Sequence, residues 1–289
     1  MTVHVKRTII GDMAKVETMF DHNNPPVIFF DTNVWRGMND AKLTDLKRLQ
    51  QSYGFRYRYS VTNFVELVSH LEDQPFGRVQ SWFRRIHQLC DPEILPSAEM
   101  VLLSKARLNH YIDPIWIPIP DQIALAVKLI TDTDNPTELI NILNLPHYKH
   151  LRAVDKNSMA AIMGELDRFK PPIKADDNLM RWFLRLCEFF LFVRSTRDNL
   201  FLKSLLREEQ ERFVVSFMAG SGKIFMTHCM KLVQKTVNDG RKVYPNDLYD
   251  LLQLILLEDD NTLFVTNERA FFYYESERVL RWAELISCT

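Results

Sequence analysis

Cysteine is scarce and poorly placed for any framework. Only four of the 289 residues are cysteine, at 90, 187, 229 and 288, and no C-x-x-C occurs. That spacing suggests neither a disulfide scaffold nor a zinc site, and it fits a reducing cytoplasm. An excess of one charge is missing too. The 36 basic and 37 acidic side chains leave a formal net charge of -1. No global field marks a nucleic-acid binder, so any such binding has to use a local patch. Long apolar runs are also lacking. The most apolar stretch, Leu179 to Val193, is interrupted by Arg181, Arg185 and Glu188. It reads as a core helix or a dimer face and not as a membrane span. The first residues lack the apolar core of a signal peptide, and there is no internal repeat or low-complexity segment. These absences predict a cytoplasmic chain with no membrane segment. What remains, 46% hydrophobic and 25% charged residues, is ordinary for a globular protein. It suffices for a large core, as one big domain or as a domain with an insertion.

The organising stretch is Val27-Ile28-Phe29-Phe30-Asp31-Thr32-Asn33. Four apolar residues are too few for a helix, and their type favours a strand buried in a parallel sheet. Pro25-Pro26 sets its start. Upstream, residues 1–24 read as an extension with one strand (Val3 to Ile10) and a short helix. Downstream, Asp40 to Gln51 reads as a helix capped by Asp40, with Leu43, Leu46 and Leu49 at helical spacing. Residues 55–61 alternate aromatic and basic side chains and read as a strand, and Thr62 caps the helix after it. From 78 to 240 the pattern is almost wholly helical, broken by prolines and by Gly220, Gly222 and Gly240. The end returns to alternation: a helix capped by Asn246, a strand over residues 262–266, then a helix from Arg269. The expected architecture is α/β, with a parallel sheet split in sequence: residues 1–77 and 241–289 build the core, and 78–240 form a helical insertion.

In open parallel sheets ligands gather beyond the carboxyl ends of the strands. Asp31, Glu66, Asp250 and Glu268 fall at such ends or in helices beside them, and Asp247 lies one turn before Asp250 on the same helix face. Carboxylates brought together are unfavourable unless they hold a cation. Oxygen ligands without His or Cys suit Mg²⁺ or Mn²⁺. Such an ion binds a phosphodiester oxygen and acidifies a water for in-line attack. Each acid taken singly also reads as a cap or a solvated residue; the shared position of all four argues against that.

Those same residues resemble the PIN-domain nucleases. The resemblance rests on Val27 to Asn33, on Glu66 in Val61-Thr-Asn-Phe-Val-Glu, on Asp250-Leu-Leu-Gln-Leu-Ile-Leu-Leu, and on Phe264-Val-Thr-Asn-Glu268. It covers about residues 27–72 and 245–275. It implies a PIN-like central sheet flanked by helices, and an endoribonuclease that cuts single-stranded RNA, with DNA as the alternative, to leave a 5′-phosphate. It implies Asp31 as the central metal ligand, Glu66 and Asp250 completing the first site, and Glu268 serving a second site or orienting water. Asp247 is an extra candidate ligand. Thr32, Asn33, Thr266 and Asn267 would orient carboxylates or water by hydrogen bonds. Two departures stand out. Glu268 occupies a place where the family commonly has Asp, lengthening the reach by about 1.5 Å. The helical block also far exceeds an ordinary loop. Toxin, defence and RNA-processing roles all fit, with an inhibitor protein or a second copy as further partners. The competing readings are a catalytically silent PIN-like scaffold, binding protein or nucleic acid through its helical block, and a structure-specific DNA nuclease.

Other features carry less. Trp35 and Arg36 follow Asp31 and could meet a base or a phosphate; Trp35 packing against the first helix is the alternative. Arg56 and Arg58 share one strand face and could meet a phosphate backbone or pair with acids. Gly220-Ser221-Gly222-Lys223 lacks the first Gly and the final Ser or Thr of a phosphate-binding loop and reads as a helix break. His147, Lys149, His150, Arg152 and Lys156 form a basic run that reads as a solvated face, with RNA contact as the alternative. His228 and Cys229 lack matching ligands and read as core or surface residues.

Overall fold

The computed structural model describes residues 4–10, 13–111, 117–153, 205–240, 244–274 and 276–287, with Asn157, Arg181 and Leu184. Its centre is a parallel sheet of four strands: β3 (Val27–Phe30), β4 (Arg56–Arg58), β5 (Thr262–Val265) and β6 (Val279–Leu280), in the order β4-β3-β5-β6. Val27 stands opposite both Arg56 and Thr262, and the two-residue β6 pairs with the last two residues of β5, so the carboxyl ends of the strands lie along one edge. β1 (His4–Ile10) and β2 (Met13–Met19) form a separate antiparallel hairpin. The expected short helix before residue 24 is thus a second strand. Arg7 fastens the hairpin to the far end of the chain: it pairs with Glu284 at 2.8 Å and donates to the Ser276 and Val279 carbonyls.

The strands alternate sides, and both sides are covered, which explains their unbroken apolar sequences. Ile28, Phe30, Leu263, Val265 and Leu280 face one layer; Phe29, Phe264 and Val279 face the other. The first layer holds α1 (Thr32–Arg36), α2 (Asp40–Tyr53), α3 (Val61–Val68), α4 (Phe76–Leu89) and α6 (Pro120–Asp132). The second holds α5 (Ala98–Lys105), α8 (Arg207–Ala219), α9 (Ser221–Asn238) and a 3₁₀ segment, Leu252–Leu256. α7 (Pro136–Ile142) lies between α6 and α8 in the chain, residues 145–153 after it are helical too, and α10 (Pro245–Leu251) and α11 (Trp282–Ile286) follow near the end. Helices of the 78–240 block therefore close both faces of the sheet: Phe83 and Ile130 share a core with Phe30, and Phe217 and Cys229 share one with Phe29. Apart from Asn157, Arg181 and Leu184, the segments expected as helices over 154–169 and 178–193 lie outside the described residues. No helix among the described residues is long and apolar enough to cross a membrane.

Helix starts sit close to their expected places, but on other caps. Asn39 caps α2 and Ser60 caps α3, in place of Asp40 and Thr62. Gly54 ends α2 at φ 71°, a left-handed turn that glycine adopts without strain. At 220–223, Gly220 ends α8 and Ser221 starts α9. The phosphate-loop resemblance is filled from within: the Ser221 hydroxyl donates to Glu258, whose other oxygen meets Lys105 Nζ at 2.5 Å. A side chain at Gly222 would run into the Phe217 ring.

Candidate functional site

Asp31 ends β3 and caps α1, its Oδ1 accepting the Asn33 N–H at 3.4 Å. The Thr266 hydroxyl, at the end of neighbouring β5, donates to Asp31 Oδ2 at 2.7 Å. That hydroxyl in turn accepts the Glu268 N–H at 3.0 Å, which leaves its one proton for Asp31. Gln253 supplies a further side-chain hydrogen bond to Asp31. Burial still outweighs these donors and raises the Asp31 carboxyl above its ordinary value.

Glu66 reaches the same spot from α3. Asn63, buried beneath it, completes a reciprocal cap with Ser60 and donates from Nδ2 to Thr32 Oγ1 at 3.0 Å. Thr32 then hydrogen-bonds Glu66. The two threonines thus work alike: each receives an N–H and presents its proton to a carboxylate. Glu66 is pushed from 4.5 to about 7, first by burial and then by the negative charge of Asp31, against the pull of Arg152 and Arg36.

Asp250 comes from the last turn of α10. Its carboxyl is pushed from 3.8 to about 8, first by burial and then by the charges of Asp31, Glu66, Glu268 and Asp247. Repulsion of this kind requires proximity, so five acids from four distant segments share one field. Glu268 accepts a hydrogen bond from Asn33 Nδ2 at 2.6 Å. Asp247 has local work as well, taking the Tyr244 N–H at 2.8 Å at the start of α10.

Other expected site residues fall elsewhere. Trp35 is fully buried against Phe30, ring centroids 5.1 Å apart, and so is a core residue with no face for a base. Arg36 is exposed and near Glu66. Arg58 pairs with Glu93 and is drawn by Asp91 and by Asp259, which precedes β5 at the sheet end opposite Asp31. Of the two readings of Arg58, pairing with an acid is the one this contact bears out. Arg56, half-buried on the same strand face, stands opposite Val27 at the amino end of β3. Asn267 accepts the Trp282 N–H at 3.3 Å at the start of α11. In the basic run, Lys149 pairs with Glu72, and Arg152 donates to Ser69. His228 and Cys229 are buried.

Sequence reasoning missed Asn63, Gln253 and Arg152 as members of the site. Asn63 carried a signal: a polar residue three beyond Ser60 is the spacing of a reciprocal cap. Gln253 stands one turn after Asp250. Arg152 had none, because its approach to Glu66 depends on packing across more than eighty residues.

The donor set fits a hard divalent cation. It offers only carboxylate, hydroxyl and amide oxygens, and Arg36 and Arg152 offset only part of its negative charge, at Glu66. Among the described residues no three His, Cys, Asp or Glu side chains are grouped to hold an ion jointly as they stand. Sharing through water suits Mg²⁺, which keeps part of its hydration shell. No protein-family profile, curated protein or solved structure matches the chain.

Proposed function

We propose that this protein is a PIN-like, divalent-metal-dependent endoribonuclease that hydrolyses single-stranded RNA, with the helices of 78–240 as an enlarged insertion around its core. The observation that carries this reading is the convergence of Asp31, Glu66 and Asp250, with Glu268 alongside, at the carboxyl edge of a parallel sheet. Such an arrangement costs free energy in the empty protein and becomes favourable around a cation. A bound Mg²⁺ or Mn²⁺ would polarise the phosphodiester and acidify a water. Asp31, Glu66 and Asp250 would hold it, and Glu268 would orient the water or serve a second ion. Thr266 and Thr32 would keep their carboxylates aimed, and their hydroxyl protons favour the ionised form that takes the ion. Asn33 restrains the longer Glu268 side chain.

The test is cleavage of end-labelled single-stranded RNA and DNA with Mn²⁺ or with EDTA. Wild type is expected to cut RNA only with the metal, and Asp31→Asn not to cut. Equal cleavage by both proteins would sink the mechanism. No cleavage by wild type on either strand would return the fold to the scaffold reading.

A further inference from the structure

Three arginines gather on the Glu66 side of the acids. Arg36 ends α1, one turn beyond Thr32, and its guanidinium carbon lies 6.0 Å from the Trp82 ring centroid. Arg78, in the first turn of α4, lies 5.8 Å from that same centroid. Arg152 donates to Ser69 Oγ at 2.8 Å and stands 3.5 Å from His70 Nε2, whose ring meets Trp82 edge-on at 6.4 Å. Trp82 itself is buried, so it is a fixed support.

What sets these arginines apart is their shared support, the Trp82 ring and the His70 ring beside it. Arg7, Arg58, Arg85, Arg207 and Arg278 each take a carboxylate. Among the described residues Arg36, Arg78 and Arg152 form no ion pair, although Arg36 and Arg152 both attract Glu66 at longer range. Two acids of the turn before α4, Glu72 and Asp73, are engaged by Lys149. An aromatic face and neutral oxygens position the three cations and leave most of their N–H donors unspent. Like charges collected this way repel one another unless an anion joins them. The guanidinium fork matches a phosphate in shape and charge. A polyanion approaching the acid site meets repulsion there, so flanking cations are what would bring it in.

We propose that Arg36, Arg78 and Arg152 form a phosphate cradle that holds the RNA backbone beside the carboxylates, on the flank of α3 and α4. The choice of strand rests on the nuclease reading; the anion site does not. Phosphate contacts carry no sequence information, so the cradle grips RNA and DNA strands alike.

The experiment is binding of a short fluorescent single-stranded RNA to the full chain in EDTA, from about 50 to 200 mM salt. Arg→Gln variants at 36, 78 and 152 keep the aliphatic stem and lose the charge. Each is expected to lower the slope of log affinity against log salt by about 0.7, and the triple variant by about three times that, with unchanged melting temperature. Arg207→Gln, on an exposed face of α8, is expected to keep the wild-type slope. Asp31→Asn is expected to bind with at least wild-type affinity. A triple variant with the wild-type slope overturns the cradle, as does an equal loss in Arg207→Gln, or wild type that shows no salt-dependent binding. If instead Asp31→Asn cleaves like wild type, the nuclease reading falls while the slopes still decide the cradle.

Discussion

The Thr266 hydroxyl donates to Asp31 Oδ2 at 2.7 Å while it accepts the Glu268 N–H at 3.0 Å. One buried side chain thus fixes the direction of a proton toward the central acid and ties the turn carrying the last acid to the same point. Thr266→Val keeps the shape and removes both contacts. It is expected to lower Mn²⁺-dependent cleavage about 10- to 100-fold, and Thr266→Ser to restore most of it. Cleavage rates at saturating metal for the two variants check this; equal loss in both would assign the effect to packing.

The metal-free protein should become less stable as pH rises. Asp250 goes from 3.8 to about 8 on folding and Glu66 from 4.5 to about 7. Between those values the folded state binds more protons than the unfolded one, so stability is fullest below about pH 4 on this account and is lost as pH climbs toward 8. Melting in EDTA from pH 5 to 8 should show that fall against an Asp250→Asn reference, which removes the most strongly raised acid. Mg²⁺ or Mn²⁺ should raise the melting temperature of wild type more at pH 8 than at pH 5. A metal effect that is the same at both values would contradict it.

Asn63 couples stability to the site. Its side chain completes the α3 cap with Ser60 and directs Thr32 toward Glu66. Asn63→Ala is expected to cost about 1–3 kcal/mol in urea unfolding, from the lost cap and unmet buried partners. It should also weaken metal binding, whereas a cap serving the helix alone would leave metal affinity unchanged.

Trp35 separates packing from recognition. Trp35→Ala should destabilise the fold by about 3–5 kcal/mol, as expected for an emptied aromatic core position. Trp35→Phe should retain both fold and RNA affinity. A large loss of RNA affinity in a well-folded Trp35→Phe protein would restore the base-stacking role.

Much of this was legible in the sequence where local pattern and burial agree. The β3 stretch is apolar on both faces because both faces are covered, so Ile28 and Phe29 read alike although they serve different layers. Acids at strand ends could be collected because the position of each follows from the strand before it. Caps were displaced where neighbouring polar residues compete, as at Asn39 and Asp40. β6 has two residues and no periodicity to read. β2 reads as a short helix from sequence, since seven residues of mixed polarity do not fix a period. Arg152 beside Glu66 and Arg78 beside Arg36 were out of reach, since only the packing of α4 and the turn before it brings them there.

On the proposed mechanism Asp31, Glu66 and Asp250, from three separate segments, hold one divalent ion. Calorimetric titration of Mn²⁺ into the EDTA-stripped chain at pH 8 tests it most directly, with Asp31→Asn, Asp250→Asn and Glu66→Gln in parallel. Wild type is expected to bind with proton release, because the raised carboxyls must ionise to take the ion, and every variant to show a marked loss of affinity. Binding by the three variants with wild-type affinity would contradict it.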